Sequence, residues 1–188
     1  MKEMIRKQYK LMRSSMSKEE VMQKSRAAAM NFLESDYYKK SEQIMLYMPL
    51  GNETDTALII QSAFRDQKTV LFPVTDEKNG QITPVVVSRD TEFTTGAFSV
   101  LEPIETKVGD MKKTDVILVP GIAFDQRGSR IGFGKGCYDR FSKNLSSLMI
   151  GFCYHFQICE KIPSENHDVK MNLLVTEKGL FRCENTIL

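Results

Sequence analysis

Residues Val116 to Arg140 read VILVPGIAFDQRGSRIGFGKGCYDR. The stretch begins with a continuous apolar run that ends at Pro120 and Gly121, as is typical of a strand covered on both faces of a parallel sheet. A glycine-rich segment follows, and it leads into a pattern of helical spacing. This order of strand, loop and helix predicts an α/β protein with an open, mainly parallel sheet and helices on both faces.

Strands and helices alternate over most of the remaining chain. Apolar residues at helical spacing predict two helices within residues 1–33, and Ser17-Lys-Glu-Glu20 has the form of a capping box that starts the second. A short helix is predicted from Ala57 to Phe64. The predicted strands are Gln43 to Met48, Thr69 to Phe72, Ile82 to Val87, Asp115 to Val119, Leu148 to Phe152 and Leu173 to Thr176. Residues 88–113 lack a clear period and are predicted to include a loop at the edge of a cleft.

The composition is that of one ordinary globular domain. The chain has 188 residues, of which 41% are hydrophobic, with a net charge of +2 and a mean hydropathy of −0.29. These values exclude disordered and collagen-like proteins. A chain of this length buries roughly 70% of its extended surface, so we expect a single domain over residues 1–188. The near-neutral charge gives no general attraction to nucleic acid or to an anionic membrane. Composition does not define the oligomeric state, and we favour a monomer.

The cysteine pattern, together with the lack of a recognisable signal peptide or membrane span, indicates a reducing compartment. The cysteines at positions 137, 153, 159 and 183 form no CxxC pair, and two histidines are too few for a zinc-finger site. The first ten residues contain no apolar core of a signal peptide, and no segment approaches about 18 consecutive apolar residues. We therefore predict a cytoplasmic protein with reduced thiols.

The glycine-rich segment is a candidate phosphate site. Gly128, Gly132, Gly134 and Gly136 lie close together, and backbone without Cβ atoms can bring its amides close to an anion. Two cations, Arg130 and Lys135, lie among them. A flexible surface turn is the alternative, and composition alone does not exclude it.

Known phosphate motifs do not fit this segment. A P-loop would need glycine at Ser129 and Ser or Thr at Gly136, and a dinucleotide fingerprint would need glycine at Cys137. Asp139, which follows the glycines, has two equal interpretations: a cap of the next helix or a metal ligand.

The full stretch resembles the hallmark of the 5-formyltetrahydrofolate cyclo-ligase family, which runs roughly VPGxAFDxxGxRLGxGxGYYDR. Other family features occur in the same order: Lys2-Glu-Met-Ile-Arg6, the turn from Pro49 to Thr56, Glu102-Pro103 and His167-Asp168. The similarity covers nearly the whole chain. One position departs from the hallmark, because Cys137 stands where the first of two tyrosines is usual.

The resemblance implies an enzyme that uses ATP and Mg²⁺ to convert 5-formyltetrahydrofolate to 5,10-methenyltetrahydrofolate, with release of ADP and phosphate. The γ-phosphoryl group would be transferred to the formyl oxygen, and N10 of the folate would then displace phosphate. Because the nucleophile belongs to the substrate, the protein needs positioning and charge stabilisation rather than a nucleophilic side chain.

The resemblance also implies the site residues. Lys2 and Arg6 match ATP contacts, Glu53 matches the acidic residue that binds the pterin, and Arg130 and Lys135 are expected to stabilise the transferring phosphoryl group. The expected ATP-binding segment comprises Arg130, Ile131, Gly132, Phe133, Gly134, Lys135, Gly136, Cys137 and Tyr138, and residues 133–137 are also expected to contact the folate. Asp139 and Asp168 match the family's magnesium ligands.

The sequence leaves two other functions open. A non-catalytic nucleotide- or folate-binding paralogue would keep the fold and the loop, and Cys137 is the feature that favours it. A phosphosugar isomerase-like enzyme on a similar sheet would need a general base but no nucleotide. A requirement for ATP separates both from the cyclo-ligase.

Overall fold

A computed structural model describes residues 1–104, 107–165 and 168–184 of the chain. The helices are α1 (Lys2–Ser14), α2 (Lys18–Leu33), α3 (Asp36–Lys40), α4 (Ala57–Arg65) and α5 (Cys137–Ser142). The strands are β1 (Gln43–Met45), β2 (Thr69–Thr75), β3 (Ile82–Val87), β4 (Phe93–Thr95), β5 (Leu101–Pro103), β6 (Val116–Val119), β7 (Ala123–Asp125), β8 (Arg130–Ile131), β9 (Leu148–Phe152), β10 (Ile158–Cys159), β11 (Leu173–Thr176) and β12 (Gly179–Arg182).

A seven-stranded sheet in the order β12-β11-β9-β6-β1-β2-β3 forms the centre of the molecule. The neighbouring strands from β11 to β2 are parallel, whereas β12 and β3 pair antiparallel at the two edges. All four residues of β6 are buried, as expected for a strand covered on both faces. The predicted open, mainly parallel α/β sheet is confirmed.

Side chains alternate between two cores along the central strands. Ile44 and Leu118 pack against α2 and α4 on one face of the sheet. Met45, Ile117 and Val119 face the opposite side, where α5 and strand β7 cover them. A small third cluster joins α1 to the sheet β10-β7-β8. Helices therefore lie on both faces, as predicted.

The first two helices form where the sequence predicts them. Ser17 caps α2: its side chain accepts a hydrogen bond from the Glu20 backbone N–H, and the Glu20 carboxylate accepts one from the Ser17 N–H. Helix α1 differs from α2 because Arg13 is its only buried residue. Charged contacts thus contribute much of what holds α1 against the rest of the protein.

Strand β2 is longer than predicted. The sequence places its end before Pro73, yet the strand continues to Thr75 and pairs Pro73 with Pro84 of β3. Leu71 is the last β2 residue paired with β1, so the missing N–H of Pro73 removes no hydrogen bond on that side.

Two short hairpins lie in segments for which the sequence predicts no strand. The pair β4 and β5 occupies part of residues 88–113, and β7 pairs with β8 inside the glycine-rich stretch. Asp125 builds the turn of the second hairpin, because its Oδ1 accepts hydrogen bonds from the N–H groups of Arg127 and Ser129.

The outer edge of β3 is covered by another segment of chain. The Val86 N–H donates to the Lys107 carbonyl at 2.8 Å, and the Gly109 N–H donates to the Pro84 carbonyl at 2.9 Å. Residues 107–109 therefore use hydrogen-bonding groups that an edge strand would otherwise expose.

None of the helices in the described part of the chain has both the length and the apolar character needed to cross a membrane.

Candidate active site

A cavity of about 620 Å³ opens at the carboxyl ends of parallel strands β1, β2 and β6. Ligands of open α/β sheets commonly bind at this edge. The hairpin of β4 and β5 borders the cavity through residues that include Phe98 and Glu102, so the predicted cleft-edge role of residues 88–113 is confirmed. The lining combines cationic, acidic and apolar side chains.

Every site residue predicted from the sequence lines this one cavity. They are Lys2, Arg6, Glu53, Arg130, Ile131, Gly132, Phe133, Gly134, Lys135, Gly136, Cys137, Tyr138, Asp139 and Asp168. They come from α1, the turn after β1, the stretch from β8 to α5 and the segment before β11. The fold thus brings together residues that are widely separated in sequence.

The glycine loop, residues 132–136, connects β8 to α5. Gly134 has φ +98° and Gly136 has φ +62°, conformations that residues with a Cβ atom rarely adopt. Between them, Lys135 is exposed, and its Nζ lies 5.5 Å from the centre of the Phe98 ring. The loop therefore presents backbone and one ammonium group to the cavity.

Arg130 is held rigidly at the start of this segment. Its side chain is only 7% exposed, and its guanidinium contacts Asp139 Oδ2 and the Pro120 carbonyl, each at 3.3 Å. The guanidinium also lies 5.5 Å from the centre of the Tyr138 ring. Arg130 Nε is buried without a hydrogen-bond partner.

Both predicted metal ligands lie in one network of contacts. Asp168 Oδ2 accepts hydrogen bonds from Lys2 Nζ and from the Glu165 N–H, each at 2.9 Å. Asp139 Oδ1 accepts one from the Val169 N–H at 3.3 Å, which places this carboxylate beside the backbone that carries Asp168. The bond to Asp168 is the main cause that raises the pKa of Lys2.

Arg6 connects α1 to the glycine loop. Its Nε donates to the Gly132 carbonyl at 3.1 Å, and its Nη1 pairs with Glu3. Together with the Lys2 contact, this bond holds α1 across the mouth of the cavity.

Glu53 lies buried at another part of the cavity wall. Its Oε2 accepts a hydrogen bond from the Leu50 N–H at 2.9 Å, and its Oε1 lies 3.4 Å from Arg13 Nη1. Burial raises the pKa of Glu53, while the Arg13 guanidinium and the Leu50 N–H act in the opposite direction. The site therefore holds a carboxylate whose charge depends on its neighbours.

Residues 1–177 match the model of the 5-formyltetrahydrofolate cyclo-ligase family. The chain belongs to this family. A 5-formyltetrahydrofolate cyclo-ligase of Haemophilus influenzae is 30% identical, over 76% of this chain and 78% of that one. A probable cyclo-ligase of Caenorhabditis elegans is also 30% identical, over 92% and 91% of the two chains. The solved structure of Aquifex aeolicus 5,10-methenyltetrahydrofolate synthetase superposes with a TM-score of 0.85 at 32% identity, covering 100% of this chain and 95% of that one.

Within this cyclo-ligase fold, several aromatic residues and cysteines near the carboxyl end of β9 and beyond it do not line the cavity. Tyr154 is fully buried and stacks on Phe156, and the His155 ring faces Phe181. Cys153 and Cys183 are buried, whereas Cys159 is only partly buried. His167, which forms part of the cyclo-ligase motif His167-Asp168, lies outside the described residues.

Arg13 contacts the cavity residue Glu53 but is not among the residues predicted from the sequence. It lies about two turns beyond Arg6 and about three turns beyond Lys2 on the same face of α1, so a helical projection of the first helix groups the three cations. The sequence indicates Glu102 only as part of the Glu102-Pro103 motif. Its buried carboxylate lines the cavity and accepts a hydrogen bond from the Thr75 N–H at 2.9 Å.

Proposed function

We propose that this member of the cyclo-ligase family converts 5-formyltetrahydrofolate and ATP to 5,10-methenyltetrahydrofolate, ADP and phosphate. The observation that carries the proposal is the convergence of the family's motifs on one cavity of about 620 Å³. A cavity of this size suits a substrate of drug-like dimensions. Its cationic part suits phosphates, and its buried carboxylate suits a ring that carries N–H donors.

The reaction needs no nucleophile from the protein. The formyl oxygen attacks the γ-phosphorus, so an O–P bond forms while the bond to ADP breaks. N10 then attacks the formyl carbon, loses its proton, and the C–O bond to phosphate breaks. Each step depends on holding the groups in line and on stabilising negative charge on phosphoryl oxygens.

Lys135 and Arg130 are the proposed cations for the transferring phosphoryl group. Lys135 is exposed on a loop whose backbone approaches the cavity closely, so its ammonium can move to a developing charge. Arg130 lines the cavity and is held in place by the Asp139 carboxylate and the Pro120 carbonyl. One mobile and one fixed cation would thus together stabilise the negative charge on the transferring phosphoryl group.

Lys2 and Arg6 are the proposed contacts to ATP. They lie one turn apart on α1, and both line the cavity. Lys2 now pairs with Asp168, so a polyphosphate would compete with this carboxylate for the ammonium.

Asp139 and Asp168 are the proposed magnesium ligands. The described residues contain no closed group of three or more His, Cys, Asp and Glu side chains around one point. Two carboxylates on one cavity wall nevertheless fit Mg²⁺, which takes one or two carboxylates together with phosphate oxygens and water. Bound Mg²⁺ would neutralise part of the phosphate charge.

Glu53 is the proposed ligand of the pterin. Each carboxylate oxygen already accepts one hydrogen bond, from Arg13 or from Leu50, and retains capacity for another. Paired ring N–H donors of a pterin match this arrangement.

The test is the appearance of the methenyl-folate absorbance when purified protein is mixed with 5-formyltetrahydrofolate and Mg²⁺, with and without ATP. We expect product only with ATP, in amounts stoichiometric with ADP. Folded protein that binds folate and ATP but forms no product would instead support a non-catalytic paralogue. ATP-independent turnover would contradict the phosphoryl-transfer route.

Asp139→Asn is expected to raise the Mg²⁺ concentration needed for half-maximal activity by about tenfold or more, because a neutral amide is a poorer ligand for a hard cation. The measurement is a magnesium titration of the initial rate. The matched control is Asp36→Asn, since Asp36 is also an acid in the first turn of a helix but lies outside the cavity. An unchanged titration in Asp139→Asn would reassign Asp139 to holding Arg130.

A further inference from the structure

Arg13 is a buried cation at the end of α1. Its side chain is 10% exposed, and it is the only residue of that helix that the fold buries. Burying a cation is unfavourable unless it is paired and hydrogen-bonded. The partners of Arg13 therefore indicate why the cation is there.

Three groups surround the guanidinium. Nη1 lies 3.4 Å from Glu53 Oε1 and 3.3 Å from the Gly121 carbonyl oxygen. The guanidinium carbon lies 5.7 Å from the centre of the Phe133 ring, in the glycine loop. Arg13 thus touches the acidic residue, the loop after β6 and the glycine loop at once.

The other described groups that face Glu53 do not supply a positive charge in place of the Arg13 guanidinium. Tyr47, after β1, donates its hydroxyl to the Thr54 carbonyl, and Tyr154 donates to the Glu53 carbonyl. Tyr138 faces the carboxylate from α5 and is a neutral phenol at ordinary pH. Among the described groups that act on the ionisation of Glu53, Arg13 is the one cation.

We propose that Arg13 is a positioning residue for folate recognition, which keeps Glu53 ionised and fixes the direction of its carboxylate. The proposal rests on the function proposed above. Oε2 is fixed by the Leu50 N–H and Oε1 by Arg13, so rotation of the carboxylate is restrained on both sides. Burial raises the pKa of Glu53 and the guanidinium lowers it, so loss of Arg13 leaves a carboxyl group that is protonated at higher pH.

The experiment measures the Kd of 5-formyltetrahydrofolate by titration calorimetry without ATP, between pH 5 and pH 8.5. Arg13→Met keeps an unbranched apolar stem without the charged guanidinium, and Arg13→Lys keeps the charge. Lys7→Met is the matched control, because Lys7 is an exposed cation of the same helix outside the cavity. We expect Arg13→Met to raise Kd about tenfold near neutral pH, because a charge-assisted contact is lost.

The pH profile separates positioning from a general structural role. Binding should weaken as pH falls and Glu53 is protonated, and the midpoint should lie at higher pH in Arg13→Met than in the wild type. Arg13→Lys should return the midpoint close to the wild-type value. Lys7→Met should leave both the affinity and the midpoint unchanged.

A double variant keeps the test valid if Arg13→Met folds poorly. Arg13→Met with Glu53→Gln contains no unpaired buried charge, so it should fold more readily than Arg13→Met alone. Adding Arg13→Met to Glu53→Gln should change Kd less than about threefold, because no ionised carboxylate is left to position. A full tenfold loss in that background, or an unshifted midpoint in Arg13→Met, would overturn the proposal.

These outcomes are distinct from failure of the proposed function. If the wild type binds folate but forms no product, the catalytic proposal fails while the binding profiles still test Arg13. If the wild type turns over and the Arg13 variants bind folate with wild-type profiles, only the role of Arg13 is wrong.

Discussion

Lys135→Ala is expected to lower kcat by about 10²- to 10³-fold while it changes the Kd of 5-formyltetrahydrofolate less than about threefold. Charge on the phosphoryl oxygens develops mainly in the transition state, so a cation that meets it there affects turnover more than ground-state binding. Lys135 suits this role because it is exposed, lies on the glycine loop and contacts only the Phe98 ring by its ammonium in the described contacts.

Single-turnover rates and equilibrium folate titrations measure the two effects separately. Lys112→Ala is the matched control, since Lys112 is an exposed lysine outside the cavity and its loss should change neither quantity. Equal losses in affinity and turnover for Lys135→Ala would assign Lys135 to ordinary substrate binding. A normal rate would remove it from the phosphoryl site.

Glu53→Gln is expected to raise the Kd of 5-formyltetrahydrofolate by about 100-fold and to leave the Kd of ATP nearly unchanged. The amide cannot accept two hydrogen bonds from ring N–H groups as a carboxylate does, and each such charged bond contributes about 1.5–3 kcal/mol. The ammonium and guanidinium groups expected to bind ATP lie on α1, β8 and the glycine loop and do not contact Glu53 in the described hydrogen bonds.

Separate titrations with folate and with a non-hydrolysable ATP analogue measure this difference. The free energy of unfolding must be measured as well, because the variant leaves the buried Arg13 cation without its acidic partner. Glu42→Gln, at an exposed position, provides the control for loss of a carboxylate charge. A parallel loss of affinity for both ligands would indicate a general distortion of the cavity rather than pterin recognition.

The main sheet could be predicted because its strands have a simple local pattern. The run Val116 to Val119 is apolar at every position, and the structure buries all four residues. The extension of β2 through Pro73 could not be predicted in the same way. It depends on which neighbour pairs at that position, and this is a property of the assembled sheet rather than of the local sequence.

The short hairpin of β7 and β8 was missed for a different reason. Arg130–Ile131 is a two-residue strand that lies among glycines, and so few residues show no period. The turn chemistry at Asp125 was available as a signal, because an aspartate followed by glycine three residues later favours a tight turn.

The candidate site residues came from the family resemblance, and their meeting in one cavity is a result of the fold. Lone residues such as Lys2 and Asp168 carry no local signal of function. Arg13 shows what motif matching omits: its importance arises from contacts with Glu53, Gly121 and Phe133, which lie far away in sequence. Only the helical spacing of the α1 cations pointed towards it.

The segment that covers β3 also affects how the protein behaves in concentrated solution. An uncovered edge strand is a template on which a second chain can add and start aggregation. Here the Val86 N–H and the Pro84 carbonyl are already bonded to residues 107–109, and Pro84 itself has no N–H to offer. At the opposite edge, β12 has only four residues. A second chain can therefore pair with β3 only after residues 107–109 have separated from it. This requirement protects that edge of the sheet against aggregation.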